Sequence, residues 1–506
     1  PMGGVINFLV KKPQTKPYLF LQTKGGSFST NEGILELGGK LDNLSYLFNI
    51  ARLDTEGFSK AKEKNNSEDD PYQNTNILLN LNYNSSEKEL ELGFITKAIH
   101  SRNELDDDDD YDGIPEDDDD NISWNNELIN TLFLKKKLTD ILSYKLQLGY
   151  TSIYRKSRDS GEEYVRDWYK GKTYQFLSNI EINPLEIYKI ILGFDYIREK
   201  AESKANYSGY RSSLKQTNHT KGFFWENIFV PFECIKLEAS IRREQNPFFK
   251  YHSALKGGIS YKIPIFPETE IYLSYSEGFK APSIYQLYSP SGNRGLKPEE
   301  SQLWEAGFSQ PIGKQFSLSF SYFHSNCKNL IDFVYIDPSR YLGRYENATK
   351  SKSRGIELEI NYKPNSDLEL KVGYDYLKGE QDFVDGDIVN FSLVSTKIFR
   401  HPSIRIPKHR AFLVMEGKVK KINFSFNISY IGKRTDRIWK TIGFDTFDEF
   451  AIMKPYILSN IIVHYNLWEN ISLFMNINNI LNKDYEKIKG YQEEKRSIYG
   501  GIKIKF

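Results

Sequence analysis

The 506-residue chain has little of what marks several common protein classes. It carries only two cysteines, Cys234 and Cys327, far apart and outside any CxxC spacing, so we predict neither a disulfide framework nor a cysteine-ligated metal. No apolar run approaches the roughly 20 residues of a membrane helix. The 68 basic residues balance 67 acidic ones, which argues against a nucleic-acid partner.

Catalytic motifs are also missing from the sequence. It contains no nucleophile elbow, P-loop or HExxH motif, and the seven histidines are scattered. His324, His401, His409 and His464 each stand alone in polar or alternating surroundings. We therefore predict that the protein is not an enzyme.

Aromatic residues and two-residue periodicity dominate instead. Aromatics make up 14% of the chain, with 34 Tyr and 33 Phe. Between Ile422 and Tyr430 one face reads Ile, Phe, Phe, Ile, Tyr and the other Asn, Ser, Asn, Ser, and this alternation recurs at 316–322, 356–362 and 471–478. Such alternation predicts strands with one apolar face. Because the other face carries Asn, Ser and Glu, it must be wet.

Connections between these strands alternate in length. Ten short turns are predicted at 40–45, 84–88, 138–141, 184–187, 232–236, 266–269, 311–315, 363–367, 418–422 and 467–470. Long polar loops lie between them at 55–74, 101–121, 157–166, 202–218, 280–299, 377–403, 434–454 and 483–494. Tight turns at one end and large loops at the other are typical of outer-membrane barrels. Ten turns pair twenty strands, and terminal strands at 18–27 and 497–506 would close the sheet. We therefore predict an all-β fold, an antiparallel transmembrane barrel of about 22 strands.

Four stretches resemble a known family. They are Gly3-Gly4-Val5-Ile6-Asn7 with Lys11-Lys12-Pro13; Glu277-Gly278-Phe279-Lys280-Ala281-Pro282-Ser283 with Gln286-Leu287-Tyr288, Gly292-Asn293, Leu296-Lys297-Pro298-Glu299-Glu300-Ser301 and Trp304-Glu305; Glu346-Asn347-Ala348 with Arg354-Gly355-Ile356-Glu357; and Asn478-Asn479-Ile480-Leu481-Asn482-Lys483-Asp484-Tyr485-Glu486 with Gly490-Tyr491 and the final Phe506. Together they resemble the TonB-dependent outer-membrane receptors. The last stretch is similar to the form found in the cobalamin receptors of that family.

The resemblance implies a domain organisation and partners. Residues 1–15 would be the end of the plug domain and 16–506 the receptor barrel. Most of the plug and its TonB box do not appear, which we interpret as a fragment or a truncated gene. The implied partners are the TonB-ExbB-ExbD complex acting through the plug, outer-membrane lipid and a small-molecule ligand. We expect a monomer in the bacterial outer membrane.

A dense acidic stretch runs from Glu104 to Asn121, inside one predicted long loop. The frame Asp108-x-Asp110-x-Asp112-Gly113, followed by Glu116 and Asp119, fits the ligand spacing of an EF-hand-like calcium loop. The predicted calcium ligands are Asp106, Asp108, Asp110, Asp112, Glu116 and Asp119. Several other arrangements of these carboxylates fit nearly as well, and Asp69 and Asp70 of the preceding loop could join the site.

The alternative interpretation of the stretch 104–121 is a solvated acidic run that binds no metal. The resemblance also implies calcium here, because cobalamin receptors carry calcium-binding aspartates in the corresponding loop.

Three functions remain open from the sequence. The first is TonB-energised uptake of cobalamin or a related corrinoid, for which the resemblance implies ligand contacts among the loop tyrosines, with Tyr285, Tyr288 and Tyr341 as candidates. The second is uptake of a ferric siderophore or haem by the same machinery. The third is a passive pore without a plug.

Overall fold

The computed structural model describes residues 9–11, 16–62, 69–106, 115, 121–159, 165–207, 210–266, 268–337, 342–389, 392–442 and 445–506. These residues form strands and one short helix, α1 (Ile284–Tyr288). No helix among them is long and apolar enough to cross a membrane. Cys234 and Cys327 are free thiols, as predicted.

The strands follow one another along the whole chain. They are β1 (Tyr18–Gly26), β2 (Thr30–Leu41), β3 (Leu44–Thr55), β4 (Tyr72–Ser85), β5 (Leu90–Glu104), β6 (Ile122–Thr139), β7 (Leu142–Asp159), β8 (Val165–Leu185), β9 (Tyr188–Tyr207), β10 (Tyr210–Phe232), β11 (Ile235–Asn246), β12 (Lys250–Lys262), β13 (Glu270–Lys280), β14 (Glu299–Ile312), β15 (Phe316–Asp337), β16 (Leu342–Asn365), β17 (Leu368–Val389), β18 (Ser392–Pro402), β19 (His409–Val419), β20 (Ile422–Ile431), β21 (Arg434–Ile442), β22 (Asp445–Met453), β23 (Tyr456–Asn466), β24 (Ile471–Asn478) and β25 (Ser497–Lys505).

The strands close into one antiparallel ring. β1 to β17 pair in chain order, and the ring continues through β19, β20, β23, β24 and β25. β25 pairs with β1, with Leu21 opposite Ile504, so the barrel has no free edge. β18 and the β21–β22 hairpin lie outside the ring, attached to the end of β17. The ring therefore contains 22 strands, which confirms the predicted architecture.

All ten predicted short turns join neighbouring ring strands, so they share one end of the barrel. We call the opposite end, with the longer connections, the outer mouth. The loop predicted at 202–218 was wrong, because β9 and β10 continue there as a paired hairpin with Lys200 opposite Thr217. The regions 377–403 and 434–454 also contain strands. Their polar composition suggested loops, but a ladder that extends beyond the membrane meets water on both faces and needs no apolar side.

The distribution of side chains is the reverse of that in a water-soluble protein. On β11, Leu237 and Ile241 point away from the barrel and are 37% and 40% exposed. The alternate residues of β11 face the lumen, where Arg242 donates to Asp195 on β9 over 2.7 Å. Large apolar side chains are exposed in this way along most ring strands. The outer surface therefore matches lipid, and the lumen is charged and wet.

The closing seam is tightly packed at Gly501. This residue lies opposite Phe474 of β24 and Lys24 of β1. A Cβ atom there would lie 2.1 Å from the Thr23 carbonyl oxygen and 2.5 Å from the Phe474 ring. A side chain at this position would have to displace the backbone at Thr23, so the closed seam favours glycine here.

We predict that Gly501→Ala weakens closure of the barrel, because overpacking of this kind costs about 1–3 kcal/mol. On gels the folded barrel migrates differently from the heated, unfolded protein. The measurement is the urea concentration at which half of the protein has lost the folded band. Gly33→Ala on β2 is the matched control, since a Cβ there meets no atom within 4 Å. Equal midpoints for the two variants would show that the seam is not tightly packed.

Candidate functional site at the outer mouth

The acidic stretch begins directly after β5 ends at Glu104. Of the six predicted calcium ligands, the structure describes Asp106; Asp108, Asp110, Asp112, Glu116 and Asp119 lie outside the described residues. Asp106 is 9% exposed, and its Oδ2 accepts a hydrogen bond from the backbone N–H of Ala61 over 2.5 Å. The carboxylate therefore holds the β3–β4 loop against the start of the acidic stretch.

A second buried carboxylate contacts the adjacent amide. Asp70, which precedes β4, is 8% exposed and accepts from the Lys60 N–H over 2.7 Å. Asp69 beside it is exposed. The structure thus brings Asp70 and Asp106 to two consecutive amides, those of Lys60 and Ala61. No group of three or more His, Cys, Asp or Glu suited to a metal occurs within the described residues.

These amides belong to a short segment, Ser59–Lys62, which we call the latch. The latch is bound to the connection 479–496 between β24 and β25, which we call the closing loop. Ala61 forms an antiparallel bridge with Tyr491 and is fully buried. The Gln492 N–H donates to the Lys60 carbonyl over 2.8 Å, and its side-chain amide donates to the Ser59 carbonyl over 2.8 Å. The latch therefore joins three outer connections.

A cavity of about 630 Å³ borders the latch. Its floor comes from lumen-facing residues of β1 to β5, β24 and β25. Aromatic side chains form much of its wall: Phe28, Phe58, Tyr72, Tyr491 and Tyr499. The Phe28 and Phe58 rings lie 5.1 Å apart, and the Lys60 ammonium lies 3.8 Å from the Phe58 ring centre. We call this space the latch cavity.

Carboxylates outnumber cations in the latch cavity. The charged residues of its wall are Lys24, Lys60, Asp70, Glu104, Asp106 and Glu494. Both signs have partners outside the wall: Lys24 pairs with Glu32 over 2.9 Å, and Glu104 pairs with Arg102 over 2.5 Å, which leaves three wall carboxylates beside Lys60. Burial lowers the pKa of the Lys60 ammonium, although the carboxylates of Glu493 and Asp70 oppose this shift. The cavity is therefore aromatic and negatively charged.

The three candidate ligand tyrosines lie elsewhere. Tyr285 on α1 is 48% exposed and packs edge-on against Tyr345, with ring centres 6.2 Å apart. Tyr288 packs against Phe248 at 5.6 Å and beneath the Arg294 guanidinium at 4.9 Å. Neither lines the latch cavity, and Tyr341 lies outside the described residues.

Two of the resembling motifs contact each other beside α1. Asn293 donates to the Tyr345 carbonyl over 3.0 Å, and Asn347 donates to the Lys297 carbonyl over 2.9 Å. The Lys297 N–H returns a hydrogen bond to Asn347 over 2.8 Å. These asparagines fix the 281–298 connection onto β16. Their role in the described structure is to hold this loop in place.

The closing loop is held by a third motif. Asn479, with a positive φ of 46°, donates to the carbonyls of Lys483 and Glu494 over 2.8 and 3.1 Å. The Glu486 carboxylate pairs with the Lys62 ammonium at 2.5 Å and accepts a hydrogen bond from the Gly490 N–H over 3.2 Å. Burial alone would raise the pKa of the Glu486 carboxyl, but Lys62 and Gly490 outweigh it and hold the pKa below its usual range.

Sequence reasoning missed Phe58, Lys60 and Ala61. Lys60 and Ala61 are held through their backbone amides, and a backbone amide has no signature in side-chain chemistry, whereas Phe58 contributes its ring. Tyr491 belongs to a resembling stretch, which marked it as notable without indicating its partner, and Gln492 follows it directly.

The sequence matches the family described as "TonB dependent receptor-like, beta-barrel" over residues 28–480. The chain therefore belongs to the TonB-dependent receptor β-barrel family, whose members are receptors and transporters rather than enzymes. With its closed 22-strand ring, it is a multi-pass β-barrel of the bacterial outer membrane.

Curated relatives and solved structures agree with this assignment. The "Vitamin B12 transporter BtuB" of Photobacterium profundum is 24% identical over 528 residues, which cover 100% of this chain and 77% of that protein. The protein of the same name from Vibrio cholerae is 26% identical over 273 residues, or 53% of this chain and 40% of the relative. The siderophore receptor PiuA from Acinetobacter baumannii superimposes with a TM-score of 0.76 at 15% identity, covering 98% of this chain and 82% of that chain. The ferripyoverdine receptor of Pseudomonas aeruginosa gives 0.77 at 16%, with 98% and 72% covered. These structures share the fold.

We predict that Asp106→Ala loosens the latch, because the buried Ala61 N–H loses its acceptor at a cost of about 1–3 kcal/mol. Hydrogen exchange at the Lys62 and Gln492 amides should accelerate about 5- to 30-fold for a loss of one to two kcal/mol. Asp106→Asn keeps an acceptor oxygen, so in this variant the Lys62 and Gln492 amides should exchange nearly as slowly as in the wild type. Asp69→Ala is the exposed control. Unchanged exchange in Asp106→Ala would contradict the role assigned to this carboxylate.

The Glu486 contact should depend on pH. Because the folded-state pKa of this carboxyl lies below its ordinary value of 4.5, its stabilising contribution is present at neutral pH and is lost as the pH falls through the lowered pKa. We expect the Gln492 amide to stay protected at neutral pH and to lose protection only when the pH falls below 4.5, after correction for intrinsic exchange rates. Glu486→Gln removes this titration and should show a flat profile. An identical acid transition in both proteins would assign it to another group.

Proposed function

We propose that the protein takes up cobalamin or a related corrinoid across the outer membrane, with energy from the TonB-ExbB-ExbD complex transmitted through a plug segment. The observation that carries this proposal is the alignment of a vitamin B12 transporter with the whole of this chain. In the proposed cycle the ligand binds at the outer mouth, and the barrel provides a rigid frame whose backbone groups are paired, as lipid requires.

The charge of the latch cavity supports a corrinoid over the alternative ligands. Its wall carries more carboxylates than cations. Ferric siderophore complexes are commonly anionic, and haem carries two carboxylates, so both would meet repulsion in this low-dielectric wall. A neutral or cationic ligand with many amide groups finds hydrogen-bonding partners there, including Asn103, Asn476 and Asn478. Aromatic walls suit its apolar ring system.

Calcium ordering of the acidic stretch is part of the proposal. Calcium takes six to eight oxygen ligands at about 2.3–2.6 Å, and carboxylates supply that class of oxygen. In this proposal Asp106 would act with Asp108, Asp110, Asp112, Glu116 and Asp119, and support comes from Asp70, which lies at the amide next to the one bound by Asp106. The ion would relieve repulsion among these carboxylates. Asp106 and Asp70 then connect the ordered stretch to the latch.

The candidate ligand contacts Tyr285, Tyr288 and Tyr341 remain part of the proposal. Support comes from Tyr285, whose ring is half exposed on α1. Its edge-on packing against Tyr345 fixes the ring without covering it. A flat aromatic face of this kind can stack against a large conjugated ligand.

The test is equilibrium binding of cyanocobalamin to cells expressing the full gene, with calcium or with a chelator. We expect Asp108→Asn/Asp110→Asn/Asp112→Asn, or removal of calcium, to weaken binding at least about tenfold, or about 1.4 kcal/mol. The matched control, Glu87→Gln/Glu186→Gln/Glu233→Gln, removes three carboxylates from short turns at the opposite end and should leave binding unchanged.

Other outcomes would select another function. If ferric siderophores or haem bind and cobalamin does not, the corrinoid assignment fails and the iron-chelate alternative replaces it. If the chain binds none of them and conducts ions in a planar bilayer without TonB, it is a passive pore. Calcium-independent cobalamin binding would retain the transport proposal and remove the calcium site from it.

A further inference from the structure

A second cavity at the outer mouth has the opposite charge to the latch cavity. It measures about 480 Å³ and lies between the junction of β22 with β23 and the closing loop. Its charged wall residues are Lys62, Lys454, Lys483, Lys489, Asp484 and Glu486. We call this space the basic corner. The latch contributes to both cavities, with Lys60 in the first and Lys62 in the second.

The cations of the basic corner are only partly neutralised. Lys62 pairs with Glu486 at 2.5 Å and with Asp484 at 3.8 Å, and Lys489 also approaches Glu486 at 3.8 Å. Lys454 and Lys483 are exposed, and neither forms an ion pair within the described part of the chain. Two ammonium groups are therefore left to bind an anion from solution.

A buried guanidinium behind the wall adds to this potential. Arg434 is 6% exposed, and it donates to two backbone carbonyls, those of Lys454 and Glu486. Its guanidinium also lies 5.1 Å from the centre of the Tyr456 ring. No carboxylate of the described residues pairs with it. A buried charge with only dipolar partners leaves a positive field in its surroundings, and that field favours an anion at the adjacent surface.

The remaining wall is apolar and aromatic. The Tyr456 and Tyr485 rings lie 4.7 Å apart, and Met453 and Pro455 complete the surface beside them. Ile452 at the rim is 77% exposed. A ligand that suits both parts of the wall has a compact anionic group attached to an apolar body.

We propose that the basic corner binds a phosphorylated amphiphile, with the phosphate between Lys454 and Lys483. A phosphate group carries about −1.5 to −2 charges at neutral pH and several acceptor oxygens. This matches the excess of two cations over carboxylates in the wall. The phosphate could come from a phosphorylated lipid of the outer leaflet or from a soluble compound. This site is separate from corrinoid uptake, because its charge is opposite to that of the latch cavity.

The experiment uses the full chain in nanodiscs and two probes. The first probe is radiolabelled pyrophosphate, and the second is lipid A added to phosphatidylcholine discs. We expect saturable binding that falls steeply with added salt. The double variant Lys454→Gln/Lys483→Gln should bind the probe at least about tenfold more weakly than the wild type does. Lys88→Gln/Lys314→Gln, on short turns at the opposite end, removes the same charge and should bind like the wild type.

The outcomes separate the two sources and can overturn the site. Enrichment of lipid A, displaced by pyrophosphate, identifies the membrane lipid as the source, whereas pyrophosphate binding without lipid A enrichment identifies a soluble ligand. Absence of saturable binding, or equal affinities for the two double variants with both barrels folded, overturns the proposal. Cyanocobalamin binding serves as an independent readout, and its loss with an intact anion site would count only against the uptake proposal.

Discussion

Lipid offers no hydrogen-bonding partner to a peptide group, and that constraint underlies the rest of this structure. A sheet inside a bilayer must therefore have no free edge. The chain satisfies this requirement where β25 meets β1, more than four hundred residues apart in sequence. Gly501 lies at that seam because the Thr23 carbonyl and the Phe474 ring leave no room for a side chain. Every other feature, including the two cavities, depends on the ring being closed.

Closure also decides where polar chemistry can occur. With apolar side chains facing lipid, the alternate residues of each strand must face a wet lumen, and pairs such as Arg242 with Asp195 neutralise its wall. Beyond the membrane the strands lose the need for an apolar face. They therefore continue as polar hairpins, and loops such as the latch can pack over the lumen. The outer mouth is the place where connections far apart in sequence meet, so a binding site composed of several loops arises there.

The architecture was predictable from sequence because it depends on periodicity and turn spacing. Alternation along segments such as 422–430 gave the lipid face, and ten short turns with two terminal strands gave the strand number. The same reasoning wrongly predicted a loop at 202–218, since polar composition does not distinguish a loop from a hairpin in water. The site was only partly predictable. Asp106 was among the predicted ligands because it belongs to the acidic stretch, but its contact with the Ala61 amide depends on how two loops pack, and side-chain types do not encode that contact.

The latch explains how two cavities of opposite charge can lie close together without cancelling. Its backbone forms hydrogen bonds to Asp70 and Asp106 on one side and to Gly490 and Gln492 on the other, so the segment is held between the two cavities. Its lysines are divided between the two walls. Lys60 stays among carboxylates and aromatic rings, whereas Lys62 is bound by Glu486 beside the uncompensated Lys454 and Lys483. In a low-dielectric wall, charges a few ångströms apart act strongly on what lies directly against them, and water in the lumen screens them beyond about one Debye length. A segment held in this way would let one mouth attract a neutral or cationic ligand at one place and an anion at another, as the two proposals require.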